Sequence, residues 1–491
     1  MKLLTTLIFL TFLLHAQQEG KSPYAASFEE LSQIEIVSST FTETDVRNSP
    51  TAITVINAKM IKRSGARNLF ELLGIYVPGL QVTRHHATLP HIGIRGIFGD
   101  RDDKHLILVN GRIMNQRTQF GAFSERDLPM LGDISSIEVI RGPGSAIHGA
   151  GAVSGTINIK THNGFTFEGT EVQLRQGFIE QFSVAEFKHG MQLGVDANFF
   201  FYYGIGNNRG ADQNDAPYIM GRTHTTRDGF TIIGGDPVKQ DIVPRDHNGH
   251  RSLAKHKLYL EYNYQDFKAW LRYTRGGMNS VPARNETAAP PLGKTKAGDT
   301  INNLNTRSTG YQQLVADLSY IHQINETLNL KFALSYDIFD AERLSNYDRI
   351  AVLSHREDIT VLHFLTRWEP VQEHAVALGG EYTHNRLGLD GWGFPGIPAQ
   401  TGKQKPVLNA WNTEVYSYFG EHQWTISDEW TSFIGARWDS HTYTDLLMSP
   451  RLALVYTPND QDTYKLITSR AQRIPFEDNL RDDYLRDGRD G

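Results

Sequence analysis

The chain has 491 residues, a formal net charge of −6 and no cysteine. That composition excludes disulfides, thiolate catalysis and cysteine-ligated metal centres, and it offers no broad basic field to recruit nucleic acid. Forty-four glycines and 11% aromatic residues suit an all-β protein with many turns.

Residues 1–16 have the form of a secretory signal: Lys2, the apolar run Leu3–Leu14, then Leu14-His15-Ala16 ahead of Gln17. No later run approaches the roughly 18 apolar residues of a membrane helix, so any spanning is by β-barrel. Residues 17–45 form a polar, flexible segment holding one apolar island, Gln33–Ser39. Thr51–Ile56 is β-branched and predicts a strand. Asn57 is placed to cap a short helix over Ala58–Ser64, with Gly65 ending it. Leu69, Leu72 and Leu73 form a helical stripe ended by Gly74 and Pro78-Gly79. Leu106–Val109 predicts a strand with a tight turn at Asn110-Gly111. Ile134–Thr161 then runs strand, turn, strand, with Arg141-Gly142-Pro143-Gly144 and Gly149-Ala150-Gly151-Ala152 crowded between Ile137–Ile140 and Thr156–Ile159. So many small residues let backbone pass close to backbone.

The stretch IEVIRGPGSAIHGAGAVSGTINIKT resembles the end of the plug domain of TonB-dependent outer-membrane receptors. TAITVIN after Ser49-Pro50, the run AKMIKRSGARNLFELLGIYVPGLQV, His91–Gly96 and LILVNGR at 106–112 resemble the same family. The resemblance implies a mainly β fold, an N-terminal α/β plug (46–164) inside an antiparallel transmembrane β-barrel (165–491), with 22 strands in the family. It also implies a TonB box at Glu35, Ile36, Val37, Ser38 and Ser39, which adds as a strand to TonB of the inner-membrane coupling complex. The alternative for that island is an ordinary first strand of the plug. Two plug arginines, Arg95 and Arg141, are implied to latch onto barrel glutamates, for which Glu381 and Glu421 are the candidates.

From about Thr166 the pattern becomes segments of roughly ten residues with alternating apolar side chains. Thirteen strands are expected, from Glu171–Gly177 and Phe182–His189 through Leu193–Gly204 to Arg451–Thr457 and Thr463–Ala471. Short turns such as Gln265-Asp266 alternate with long polar connections such as Ile205–Lys255 and Gly276–Tyr311, the asymmetry of bacterial barrels. Thirteen is odd, and the polar run at 478–491 follows the last strand, so the barrel is expected to be partial.

The glycine-rich stretch GPGSAIHGAGAVSG contains neither a GxGxxG nor a GxxxxGK[ST] spacing, and no GxSxG or HExxH appears, so no catalytic constellation, cofactor or resident metal is expected. Ligand contacts are expected near the plug apex, from His85, His86 and His91, from Phe98 and Arg101, and from Gln116 and Phe120. The histidines either ligate haem iron or a transition metal, or are exposed loop residues with no role. The expected function is TonB-dependent uptake across the Gram-negative outer membrane of a ferric siderophore, with outer-membrane lipid around the barrel. Haem, cobalamin or another metal chelate are alternatives within the family; a passive porin-like channel and a secreted β-rich binding protein are alternatives outside it.

Overall fold

The computed structural model describes residues 35–36, 39–42, 44–84, 90–99, 101–178, 182–208, 224–225, 231–232, 254–280, 293–294, 300–301, 307–345, 351–392 and 410–486. Two sheets, one inside the curve of the other, account for most of it.

The N-terminal part contains β1 (Glu35–Ile36), β2 (Thr44–Asp45), β3 (Ala52–Asn57), α1 (Ala58–Ser64), α2 (Leu69–Tyr76), β4 (Leu80–Arg84), β5 (Pro90–Ile94), β6 (His105–Val109), β7 (Arg112–Ile113), β8 (Ile134–Arg141), α3 (Ser145–His148) and β9 (Gly155–Thr161). Five strands form a mixed sheet in the order β3-β8-β9-β6-β7, in which β6 and β9 are the parallel pair. Asn57 caps α1 by accepting the Met60 N–H at 2.9 Å, and Gly65 ends it with φ +67°. Helix α2 runs on through Gly74 to Tyr76. Of the two expected stops it is Pro78 that ends it, because a proline bars its predecessor from the helical region. Asn110 and Gly111 both have positive φ (49° and 82°), as a tight hairpin between β6 and β7 requires. The crowded middle of the 134–161 stretch folds into a single helical turn, α3, rather than a plain turn. Gly155 is obligatory at the start of β9, since a Cβ there would lie 2.4 Å from the Ile140 carbonyl oxygen.

Leu69, Leu72 and Leu73 of α2 bury against Ile56, Ile107, Ile137, Val139 and Ile157 of the sheet, all within a few per cent of full burial. Each such side chain contributes about 1.5–3 kcal/mol. The same cluster continues into Tyr202, Tyr259, Tyr311 and Phe339 of the surrounding wall, so plug and wall share one core.

That wall is a 13-stranded antiparallel sheet of sequential hairpins. Its strands are β10 (Gly169–Gly177), β11 (Phe182–Gln192), β12 (Ala197–Asn208), β15 (Lys255–Tyr264), β16 (Phe267–Ser280), β19 (Arg307–Asn325), β20 (Leu328–Ser345), β21 (Ala351–Val371), β22 (His374–Leu389), β23 (Trp411–Ser427), β24 (Trp430–His441), β25 (Leu447–Tyr456) and β26 (Tyr464–Ser469). Two small hairpins, β13 (His224–Thr225) with β14 (Thr231–Ile232) and β17 (Gly293–Lys294) with β18 (Thr300–Ile301), lie in the long connections. All thirteen expected strands are present. Leu193–Asp196, expected at the start of one of them, is instead a turn in which Gly194 takes φ +82°. Strands β10 and β26 are the two edges of the sheet. Residues 477–486, expected as a polar tail, form the helix α4 (Glu477–Arg486).

Side chains alternate across the wall. Along β23, Ser417, Phe419 and Glu421 are buried inward, while Tyr416, Tyr418 and Trp424 face out. Outward leucines such as Leu318, Leu362 and Leu378 form an apolar band. Trp368, Trp424, Trp430 and Tyr464 ring the short-turn end, as an aromatic girdle does at a membrane interface.

Candidate functional site

The site is the contact between plug and wall together with the loops at the long-connection end of the plug. Wall strands supply cations at inward positions, and the plug answers with carboxylates. On β15, Lys255, Lys257 and Tyr259 alternate inward; on β16 the inward Arg272 sits beside them. Arg272 binds Glu125 through Nε to Oε1 (2.9 Å) and Nη2 to Oε2 (2.8 Å), and Asp133 through Nη1 to Oδ2 (2.7 Å). Lys257 donates to Asp133 at 2.9 Å, and Lys255 to Asp127 at 2.9 Å. Burial opposes the charge on Asp133, yet Lys257 and Arg272 overcome it and hold its pKa down to about 2. Glu125 and Asp127 are held low in the same way, against burial, by Arg272 and Lys255 respectively. The sign also reverses locally. Arg112 of the plug reaches Asp317 of the wall at 2.5 Å, and Glu357 of the wall accepts the Arg117 and Thr118 N–H groups at 2.8 and 2.7 Å. This network was missed in the sequence. Its signal was there in KHKLYLEY, where charged residues alternate with apolar ones in a strand.

The expected latch takes a different form. Glu381 is bound by Arg437 (3.1 Å) and His363 (3.2 Å), both on the wall, and Glu421 lies 3.7 Å from Arg451 of β25. Among the described residues the Arg141 side chain donates only to the Pro78 carbonyl, at 3.5 Å, and Arg95 lies beside it, 3.4 Å from where a Cβ would stand on Gly142. Among the described residues no carboxylate pairs with either arginine; the cations nearest Glu381 and Glu421 come from other wall strands instead. Glu421 does grip the N-terminal segment, by accepting the Phe41 N–H at 3.0 Å. Phe41 also stacks on Phe419 (4.6 Å between centroids) and its carbonyl accepts from Arg367 at 2.6 Å. Arg451 donates to the Ser39 carbonyl at 2.7 Å. Residues 39–42, expected to be flexible, are therefore fastened to the wall. Glu35 and Ile36 pair with Asp45 and Thr44 as a two-stranded hairpin. Val37 and Ser38 lie outside the described residues.

At the apex the structure separates framework from exposed residues. His91 is buried, and its Nδ1 lies 3.0 Å from Asp102, which also binds Arg126 and accepts the Ile92 N–H at 3.0 Å. Burial works against the Asp102 charge, but Arg126 and the His91 hydrogen bond hold its carboxyl below the usual range. His91 is thus held within the plug framework. Gln116 is also buried, its Oε1 accepting the Gln119 and Phe120 N–H groups at 3.2 and 2.7 Å. Phe120 packs on Phe123 at 5.3 Å. Both shape the 116–123 loop from within, since a loop lacking regular structure must satisfy its amides with its own side chains. Phe98 and Arg101 are exposed; Arg101 lies over the Phe476 ring at 5.2 Å and 3.9 Å from Asp478 of α4. His85 and His86 lie outside the described residues. Among the described residues no three His, Asp or Glu side chains cluster to hold a metal ion. A cavity of about 110 Å³ is lined by the Gly149–Gly151 loop and by Glu381, Arg437 and Asp439 of the wall.

The arrangement of a mixed-sheet plug inside a wall of sequential hairpins matches two family descriptions. "TonB-dependent Receptor Plug Domain" covers residues 45–156, and "TonB dependent receptor-like, beta-barrel" covers residues 247–488. The chain belongs to the TonB-dependent receptor family. Its family is one of transport receptors.

Among relatives of this receptor, the ferric enterobactin receptor of Pseudomonas aeruginosa is 24% identical over 98% of the chain and 66% of its own length. The ferrienterobactin receptor of Escherichia coli is 22% identical over 89% of the chain and 59% of its own length. A vitamin B12 transporter of Vibrio vulnificus is 34% identical, over 25% of the chain and 20% of its own length. In fold, the crystal structure of a variant ferric enterobactin receptor from P. aeruginosa superposes with a TM-score of 0.61 at 16% identity, covering 86% of this chain and 62% of that one. The siderophore receptor PirA of Acinetobacter baumannii gives 0.59 at 18% identity, covering 86% and 61%. The receptor chain thus spans about three fifths of these relatives.

Proposed function

We propose that this receptor takes part in TonB-dependent uptake of a ferric siderophore across the outer membrane of a Gram-negative bacterium. The observation that carries the proposal is the plug seated inside the wall by buried ion pairs such as Arg272–Glu125. A passive channel has no use for a lumen filled in that way, and a secreted binding protein has none for an outward apolar band. Relatives matched over most of the chain are named for ferric enterobactin, which favours an iron chelate over cobalamin.

In this proposal Glu35–Ser39 is the strand offered to TonB. Its hairpin partner β2 is only two residues long, so exchanging it for a longer partner strand gains backbone hydrogen bonds. A pull on this segment meets the Arg451–Ser39 contact and the Phe41 clamp first and the plug sheet next. The exposed apical residues Phe98 and Arg101 are the proposed ligand contacts, with His85 and His86 as further candidates. Arg95 and Arg141 are proposed to latch the plug, through carboxylates other than Glu381 and Glu421. Removing residues 35–39 tests the coupling role: ferric-siderophore uptake should vanish in cells while binding at the cell surface persists. Uptake at the normal rate in that deletion overturns the assignment.

A further inference from the structure

The outward face of the wall has a gap in its aromatic surface. By strand register, Tyr320, Phe332, Phe364, Gly380, Tyr418 and Trp438 are successive neighbours in one row across β19 to β24. Every member of that row but Gly380 carries an aromatic ring. The missing side chain leaves a groove of about 540 Å³, bordered by Phe332, Leu334, Leu362, Phe364, Tyr382 and Tyr418. That volume falls within the roughly 300–1,000 Å³ of small-molecule sites. The groove lies outside the wall, because the intervening residues Ala333, Leu365 and Phe419 are buried inward while Leu334, Leu362 and Tyr418 are exposed.

We propose that this groove holds one acyl chain of a membrane lipid as a fixed ligand. It is continuous with the outward band of Leu318, Leu334, Leu362 and Leu378, the part of a barrel that meets hydrocarbon. No lysine or arginine lines it, so it recognises a chain and not a phosphate headgroup. Its upper limit is polar. The Tyr382 and Tyr416 hydroxyls both donate to Glu414, at 2.9 and 3.0 Å, and His384 stands 3.8 Å from the same carboxylate. Glu414 pairs with His384, four residues beyond Gly380, or about 13 Å along the strand. This places the groove directly beneath the polar edge of the band, on the side of the long connections. Aromatic rings on either side of a bare backbone hold one chain in place, where the flat wall elsewhere offers only sliding contact.

Gly380 itself provides the test. A Cβ there meets only the Ser417 carbonyl oxygen at 3.5 Å and the Tyr418 ring at 3.9 Å, both ordinary contacts, so Gly380→Leu fills the groove without strain. The 491-residue chain and its Gly380→Leu and Leu466→Ala variants are purified from membranes in mild detergent and weighed by native mass spectrometry. Leu466 is lipid-facing and far from the groove, on edge strand β26. The expected result is one retained lipid per chain in the parent and in Leu466→Ala, reduced at least about tenfold in Gly380→Leu. Heat-modified gel mobility verifies that each variant is folded. Equal lipid retention in Gly380→Leu, no retained lipid in the parent, or a parent dimer that Gly380→Leu converts to monomer would each overturn the proposal.

Discussion

Arg272 of the wall and Glu125 of the plug face each other through two parallel hydrogen bonds, at 2.9 and 2.8 Å, with both side chains at most 1% exposed. Two ions so fully removed from water are stable only as a pair, and Asp133 at 2.7 Å from the same guanidinium completes the set. The plug is therefore held by a connection that is costly to open from one side.

Replacing Arg272 by methionine strands Glu125 and Asp133 with Lys257 alone. The expected loss is about 3–5 kcal/mol of plug stability. Hydrogen exchange of the Ile137–Ile140 amides measures it, since those amides exchange only when the plug sheet opens. Adding Glu125→Gln to Arg272→Met should recover part of the loss, because one stranded charge is gone. Unchanged exchange in Arg272→Met would show that the pair does not hold the plug.

Acid should loosen the plug in a defined window. Asp133 is held to about 2 in the fold against an ordinary value of 3.8. A carboxylate depressed in the fold stabilises it above its unfolded pKa, and that stability disappears as pH falls through the folded value. For Asp133 this amounts to about 2 kcal/mol, complete above about pH 5 and lost toward pH 2. Glu125 and Asp127 shift in the same direction and add to it. Plug unfolding followed from pH 6 to pH 2 should steepen below about pH 5, and Lys257→Met should flatten the curve.

His91 separates a framework role from a ligand role. With its ring buried against Asp102, His91→Ala should lower plug stability by about 1–3 kcal/mol, through the lost hydrogen bond to Asp102 and the space the ring leaves, while Arg126 and the Ile92 N–H still hold the carboxylate. Affinity for a ferric siderophore should stay at the parent value. A selective loss of affinity at full stability would return His91 to the binding surface.

The strands were legible because each has an outward face rich in apolar side chains and an inward face rich in polar ones, which imprints a period of two on residues such as Val415 to Ile426. The plug was legible because the small residues of 142–155 are needed wherever backbone touches backbone, as Gly155 does at Ile140. The docking network was not, although its residues were visible. Which cation meets which carboxylate depends on how two segments more than a hundred residues apart come together, as Arg272 and Glu125 do. The burial of Gln116 and His91 was hidden for a related reason. A polar side chain in a loop looks the same in sequence whether it turns outward to a ligand or inward to its own backbone, and only the fold decides.

Ligand binding tests the central claim most directly. Intrinsic tryptophan fluorescence of the purified receptor is titrated with ferric enterobactin, the iron-free siderophore, haem and cobalamin. Saturable quenching by the ferric chelate, weaker for the iron-free form and absent for haem and cobalamin, is the predicted result. Saturable binding of haem or cobalamin with no response to ferric enterobactin would contradict it.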